Sequence, residues 1–192
     1  MSTIVVSHGL QAREDSVWFP AFRAELTRLG RDVVIPNLPG TDAPERDAWR
    51  KALSEAVAAT PEDTVLVGHS IGAVNVLRLL ESHDPEAGVF AGAVLVSASA
   101  HEVGYDLLAS FFEGGFDWPR IRAAAKGFRV LQAIDDPVNA PDPLEHVGIL
   151  VRELGAVATV LPAGGHLGAY PEDHMELPEA VALVRELLPA AV

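Results

Sequence analysis

Two kinds of apolar pattern alternate along the chain. Short, nearly unbroken and largely β-branched runs occupy residues 3–7, 32–36, 64–68, 91–97, 128–134 and 157–161. Runs of that length, apolar throughout, predict strands buried on both faces. Between them apolar residues recur at helical spacing. In 16–29 they are Trp18, Phe19, Phe22, Leu26 and Leu29, with Pro20 in the first turn and Gly30 as the stop. Further helices are predicted over 43–59, 71–82, 142–154 and 177–188. Strand and helix in alternation predict an α/β fold: a six-stranded, mostly or wholly parallel sheet between two helical layers, joined by right-handed crossovers. The segment 98–127 breaks the rhythm, with Tyr105, Phe111, Phe112, Phe116 and Trp118 set among glycines and charges. It is expected to form short helices beside a crevice. The Pro- and Asp-rich stretch 135–143 reads as a loop rather than a linker. No repeat, low-complexity tract or boundary divides the chain, so 1–192 reads as a single domain.

The sharpest junction lies at 64–74. Thr64-Val65-Leu66-Val67 runs straight into Gly68-His69-Ser70-Ile71-Gly72, and a helical pattern begins at once. G-x-S-x-G between a strand and a helix is the nucleophile-elbow pattern of α/β-hydrolases. Glycines are needed at 68 and 72 because strand and helix pass closely there, and the serine takes a strained backbone conformation. The alternative is an ordinary turn whose serine caps the helix.

A serine hydroxyl needs a neighbouring base, and the base an orienting acid. On this fold the chain order is Ser, Asp or Glu, then His. Asp136 follows the fifth predicted strand and His166 the sixth, and parallel strands all end on one side, beside Ser70. Asp135 competes with Asp136, but strand alternation points the two apart. Asp136, immediately before Pro137, is preferred, and Asp135 is read as a loop cap. Of the seven histidines, only His166 comes last, after a strand and beside glycines. His8 is expected to brace the first loop and His69 to pack at the turn. His83 and His146 are expected to be solvated, and His174 to sit in an acidic surface stretch, Glu172-Asp173-His174. The oxyanion donors are expected to be the backbone N–H groups of Ile71 and Leu10, with Gln11 as the second candidate for the latter. Candidate pocket residues are Gln11, His101, Phe111, Phe112, Phe116, Val138 and Leu167. The three phenylalanines fit a small core of their own equally well.

The chain has no cysteine, which excludes disulfides and thiolate chemistry, and no metal or organic cofactor is expected. Asp and Glu number 27 against 14 Lys and Arg, a formal charge of −13. Such a surface repels phosphate backbones and anionic lipid, so neither nucleic acid nor membrane is an expected partner. No apolar run reaches the ~18 residues of a membrane span. The first strand begins two residues after Met1, leaving no room for a signal peptide, so a cytoplasmic protein acting on a small molecule is expected. Oligomeric state is not legible.

In chain order, His8-Gly9, Trp18-Phe19-Pro20, Asn37-Leu38-Pro39, Gly68-His69-Ser70-Ile71-Gly72, Leu95-Val96-Ser97-Ala98, Asp135-Asp136-Pro137 and Gly165-His166 form a set. That set resembles the compact serine hydrolase family, which includes YdeN-like proteins and the retinoblastoma-binding-protein serine hydrolases. Phe111-Phe112-Glu113-Gly114-Gly115-Phe116-Asp117 looks like the family's insertion. The resemblance spans essentially the whole chain and implies a lidless α/β-hydrolase fold, with Ser70, Asp136 and His166 matching the family triad. Ala133 departs from the glycine that many hydrolases carry ahead of the acid. The expected activity is cleavage of small esters, or amides, through an acyl-enzyme, with a preference for short acyl chains because the insertion is too small for a lipase-type lid. The rival expectation is a binding or scaffold protein that keeps the fold without turnover.

Overall fold

The computed structural model describes residues 2–168 and 174–188. Six strands form one sheet: β1 (Thr3–Ser7), β2 (Asp32–Val34), β3 (Thr64–His69), β4 (Gly92–Val96), β5 (Phe128–Ala133) and β6 (Val157–Leu161). Their spatial order is β2-β1-β3-β4-β5-β6, and every pairing is parallel. The sheet is thus wholly parallel. The helices are α1 (Phe19–Arg28), α2 (Arg46–Ala56), α3 (Ile71–Ser82), α4 (Trp118–Ala123), α5 (Pro143–Leu154) and α6 (Pro178–Leu187).

Strand alternation sorts the core into two layers. Val5, Leu66, Ala93, Leu95, Phe128 and Val130 pack with Leu53 of α2, Val76, Leu77 and Leu80 of α3, Ile121 of α4 and Leu150 of α5. The neighbouring positions Ile4, Val6, Val65, Val67, Val94, Val96 and Leu131 pack on the other face with Phe19, Phe22 and Leu26 of α1 and Leu183 and Val184 of α6. The central strands serve both layers, which is why they carry no polar alternation. β6 has a free edge, and its Val157 and Val160 are exposed.

The helices begin and end close to where turn chemistry dictates. Pro20, Pro119, Pro143 and Pro178 each stand in a first turn, where a missing N–H costs nothing. Asp117 and Asp142 cap α4 and α5 by accepting from Arg120 N and Leu144 N. Helix α2 is shorter than the 43–59 expected, because the chain is still extended at Glu45 and has left helical geometry at Val57 (φ −79°, ψ 89°). Within 98–127 a 3-10 turn at Asp106–Phe111 precedes α4. No helix among the described residues is long and apolar enough to cross a membrane.

The chain leaves β1 toward β2 and returns to β3 on the other side of β1. The strand order therefore reverses between β1 and β3, and in open α/β sheets ligands bind at the carboxyl ends of the strands flanking such a point. Ser7 of β1 stands in register with Gly68 of β3. The loop after β1 and the turn after β3 consequently open onto the same crevice.

Candidate active site

Ser70 sits between β3 and α3 with φ 58° and ψ −131°, a conformation that ordinary residues avoid. Its amide is fixed by Val96 O at 2.9 Å. The flanking glycines have steric causes. A Cβ at Gly68 would fall on the backbone of Ala73, and one at Gly72 on the carbonyls of Ser7 and His8. The Ser70 side chain makes no capping bond to its helix, which disposes of the capping alternative. Its Oγ lies 2.8 Å from Nε2 of His166.

His166 follows β6 and Asp136 follows β5. Nδ1 of His166 lies 2.8 Å from Asp136 Oδ2 and 2.9 Å from Oδ1. With Nδ1–H donating to the carboxylate, Nε2 is left to accept from the Ser70 hydroxyl. The Asp136 side chain is fully enclosed. Burial pushes its carboxyl up, but the imidazole, Gln132 and the Val138 amide outweigh that and hold it below the usual carboxylate range. Val138 N and Asn139 N donate to Oδ1 at 2.9 and 3.3 Å, and Gln132 Nε2 donates to Oδ2 at 2.7 Å.

The His166 loop is pinned from several sides. His69 Nε2 donates to the His166 carbonyl at 3.0 Å, and Trp18 Nε1 donates to Leu167 O at 3.0 Å. Asp135 Oδ1 accepts from Gly165 N at 2.8 Å. Asp135 therefore caps a loop thirty residues away rather than its own following amides. Burial, reinforced by the neighbouring His166, pushes His69 down to about 3. It is a neutral packing group edge-on to Trp18 and Phe19. His8 accepts from Leu38 N at Nε2 (3.2 Å), which leaves Nδ1–H to donate to Gly9 O (3.0 Å), bracing the loop after β1.

The two expected oxyanion amides are distinguished by their partners. Ile71 opens α3, so its N–H has no intrahelical acceptor. Gln11 N is committed to Thr41 O at 3.0 Å, which favours Leu10 at the end of the β1 loop.

Several candidate pocket residues do something else. Leu167 is fully buried in the α1/α6 layer; its positive φ of 51° turns the chain inward after His166. Phe111 is likewise fully buried, with Leu38, Trp49, Ile71, Val74 and Leu108. Phe112 and Phe116 pack half-buried against that cluster. The phenylalanines are a local core, and that core backs Ile71. Val138 contributes its amide to the acid, and Gln11 is exposed. His101 is exposed, stacked on His146 at 4.2 Å, with Nε2 3.8 Å from Glu145. His146 is buried rather than solvated, because its Nδ1 accepts from Ala100 N at 3.0 Å under that stack. His83 is half-buried against Phe90, with Nε2–H donating to Gly88 O at 2.8 Å. His174 is half-buried, while Glu172 and Asp173 lie outside the described residues.

A cavity of about 570 Å³ between α1 and α6 contains none of these groups. Among the described residues no cluster of three or more His, Asp or Glu side chains could hold a metal ion.

A serine hydrolase family model matches residues 4–186. The chain belongs to the serine hydrolase family. YdeN of Bacillus subtilis (strain 168), described as a hydrolase, is 30% identical over 164 residues, 85% of this chain and 84% of that protein. The serine hydrolase RBBP9 of Rattus norvegicus is 26% identical over 123 residues, 62% of this chain and 63% of that one. The crystal structure of the B. subtilis ydeN product superposes with a TM-score of 0.87 at 27% identity, covering 97% of this chain and 98% of that one. The fold is that of the α/β-hydrolases. The motifs of this serine hydrolase do not mark Gln132, Asn139 or Ser99, which stand buried behind the acid. A lone glutamine inside the apolar run 128–134 was the signal available.

Proposed function

We propose that this serine hydrolase cleaves small, short-chain carboxylic esters, and amides of similar size, through Ser70, His166 and Asp136. The reading rests on one imidazole, whose Nε2 is 2.8 Å from Ser70 Oγ while its Nδ1 is 2.8 Å from Asp136 Oδ2. Ser70 Oγ attacks the carbonyl carbon as its proton passes to His166 Nε2. Asp136 keeps Nδ1–H in place and stabilises the imidazolium. The Ile71 and Leu10 amides receive the tetrahedral oxyanion, and α3 points its positive end at the same spot. The imidazolium then protonates the leaving alkoxide or amine, and water repeats the sequence on the acyl-enzyme. Short acyl chains are favoured because the phenylalanines of the insertion are spent on their own core.

A fluorophosphonate probe is expected to label Ser70 and no other residue. Ser70→Ala is expected to lose ~10⁶ in kcat, and Asp136→Asn ~10⁴. Folded wild-type protein that neither labels nor turns over short aryl esters would overturn the reading. Higher kcat/KM on long-chain than on short-chain aryl esters would overturn the substrate class.

A further inference from the structure

Two side-chain carboxamides converge behind the acid. Gln132, on β5, donates Nε2–H to Asp136 Oδ2 at 2.7 Å, and Asn139 donates Nδ2–H to the same oxygen at 3.3 Å. Each amide spends its second N–H nearby, Gln132 on Ala133 O at 3.1 Å and Asn139 on Gln132 Oε1 at 3.2 Å. Ser99, in the loop after β4, closes the chain by donating Oγ–H to Asn139 Oδ1 at 2.6 Å. All three residues are buried. Turning either amide over would set its oxygen against the carboxylate and strand a buried N–H, so both orientations are fixed.

We propose that Gln132, Asn139 and Ser99 are positioning residues, a buried relay that holds the Asp136 carboxylate as an anion facing His166 Nδ1. The inference rests on the reading of Ser70, His166 and Asp136 given above. Oδ1 is served by two backbone amides, whereas Oδ2 has only these side chains besides the imidazole. The titratable groups around the acid are His166, directly bonded, and His69 and His146, which feel its charge. Asp135, next in sequence, is exposed and bonded to Gly165 N. The relay carries no charge, so its donors act equally at every pH. Removing one donor leaves the carboxylate more basic, and the coupled acid–imidazole pair then takes up its proton at higher pH.

The test uses Gln132→Met, Asn139→Asp and Ser99→Ala, with Ser99→Thr as the variant that keeps the hydroxyl. All change volume little, so loss of folding in one leaves the others. Short aryl-ester turnover is followed against pH, and the His166 ring by NMR over the same range. Gln132→Met and Ser99→Ala are expected to lose about tenfold to a hundredfold in kcat, less than loss of the acid itself. Their acid limb should move up by about half a pH unit or more. Asn139→Asp, which adds a second carboxylate beside the first, should move it furthest. Ser99→Thr should restore the wild-type limb. Folded variants with reduced kcat but the wild-type acid limb and His166 titration would overturn the inference and leave the esterase reading intact. Wild-type protein without labelling or turnover would overturn that reading instead, and the NMR titration would still report on the relay.

Discussion

At Gly72 the absent side chain is what lets α3 cross β1, since an added Cβ would meet the Ser7 and His8 carbonyls, which cannot swing away from a central strand. Gly148, exposed on α5 and with nothing within 4 Å of an added Cβ, is the opposite case. Gly72→Ala is therefore expected to destabilise by ~3 kcal/mol or more, or to prevent folding, whereas Gly148→Ala should stabilise by ~0.5–1 kcal/mol. Urea unfolding midpoints of the two variants check both signs. Gly68, Ser70 and Gly72 were legible because the chemistry of a tight turn restricts residue type. The placement of Asp136 and His166 was legible because their position after a strand fixes which edge of the sheet they reach. The partner of Asp135 was not, since its carboxylate accepts from Gly165 N rather than from its own following amides. Leu167 and His146 were misread because burial there is decided by contacts far along the chain: Trp18 bonds the carbonyl of the first, and the Ala100 amide bonds the ring of the second.

At the scale of elements the apolar runs were enough to place all six strands, but only the four central ones are buried on both faces. The edge strands β2 and β6 are partly exposed, contrary to the expectation, because each lacks a neighbour on one side. The short helices of the insertion were expected and are present, but the apolar pattern gave no sign of its anchor, which is a charge. Arg78 on α3 is almost fully enclosed and donates to three carbonyls of the insertion: Phe111 at 2.8 Å, Gly115 at 2.7 Å and Glu113 at 3.2 Å. It also pairs with Glu81 at 2.6 Å and lies over the Phe116 ring at 4.2 Å. Glu81 in turn accepts from Asp117 N. No periodicity foretells an arginine facing inward from an apolar helix. The clamp ties the insertion to the helix that begins with Ile71, and Phe111 packs against Ile71 itself. Arg78→Met removes the donors and leaves Glu81 without its cation, bonded only to Asp117 N. It is expected to cost ~2–4 kcal/mol and to open residues 111–117 to limited proteolysis before the rest of the chain. KM for a short aryl ester should rise more than kcat falls. A variant cut no faster than wild type would show that the phenylalanine core alone holds the segment.

Over the whole molecule, three buried imidazoles make stability depend on pH in one direction. His8, His69 and His146 are each pushed below the ordinary value by burial, His69 to about 3. In the unfolded chain each takes a proton near pH ~6.5, while in the fold each takes it at a lower pH. The unfolded state then binds more protons, so stability falls as pH drops, by up to ~1.4 kcal/mol per pH unit for each histidine. For His69 the loss continues down to about pH 3. Asp136 is shifted in the same direction but acts in a different window. Its carboxyl is depressed in the fold, so its contribution is complete above the unfolded value of ~3.9 and is lost only below it. Between pH 7.5 and 5.5 the depressed carboxyl of Asp136 contributes no change, and constant ionic strength keeps the screening of a chain of formal charge −13 the same throughout. Urea titrations across that interval should show the unfolding free energy declining toward the acid end. His69→Gln keeps an N–H donor for the His166 carbonyl but cannot titrate, and its decline should be shallower by one histidine's share. A wild-type profile flat from pH 7.5 to 5.5 would mean that these rings accept protons inside the fold. The neutral His69 that carries the His166 loop would then have to be abandoned.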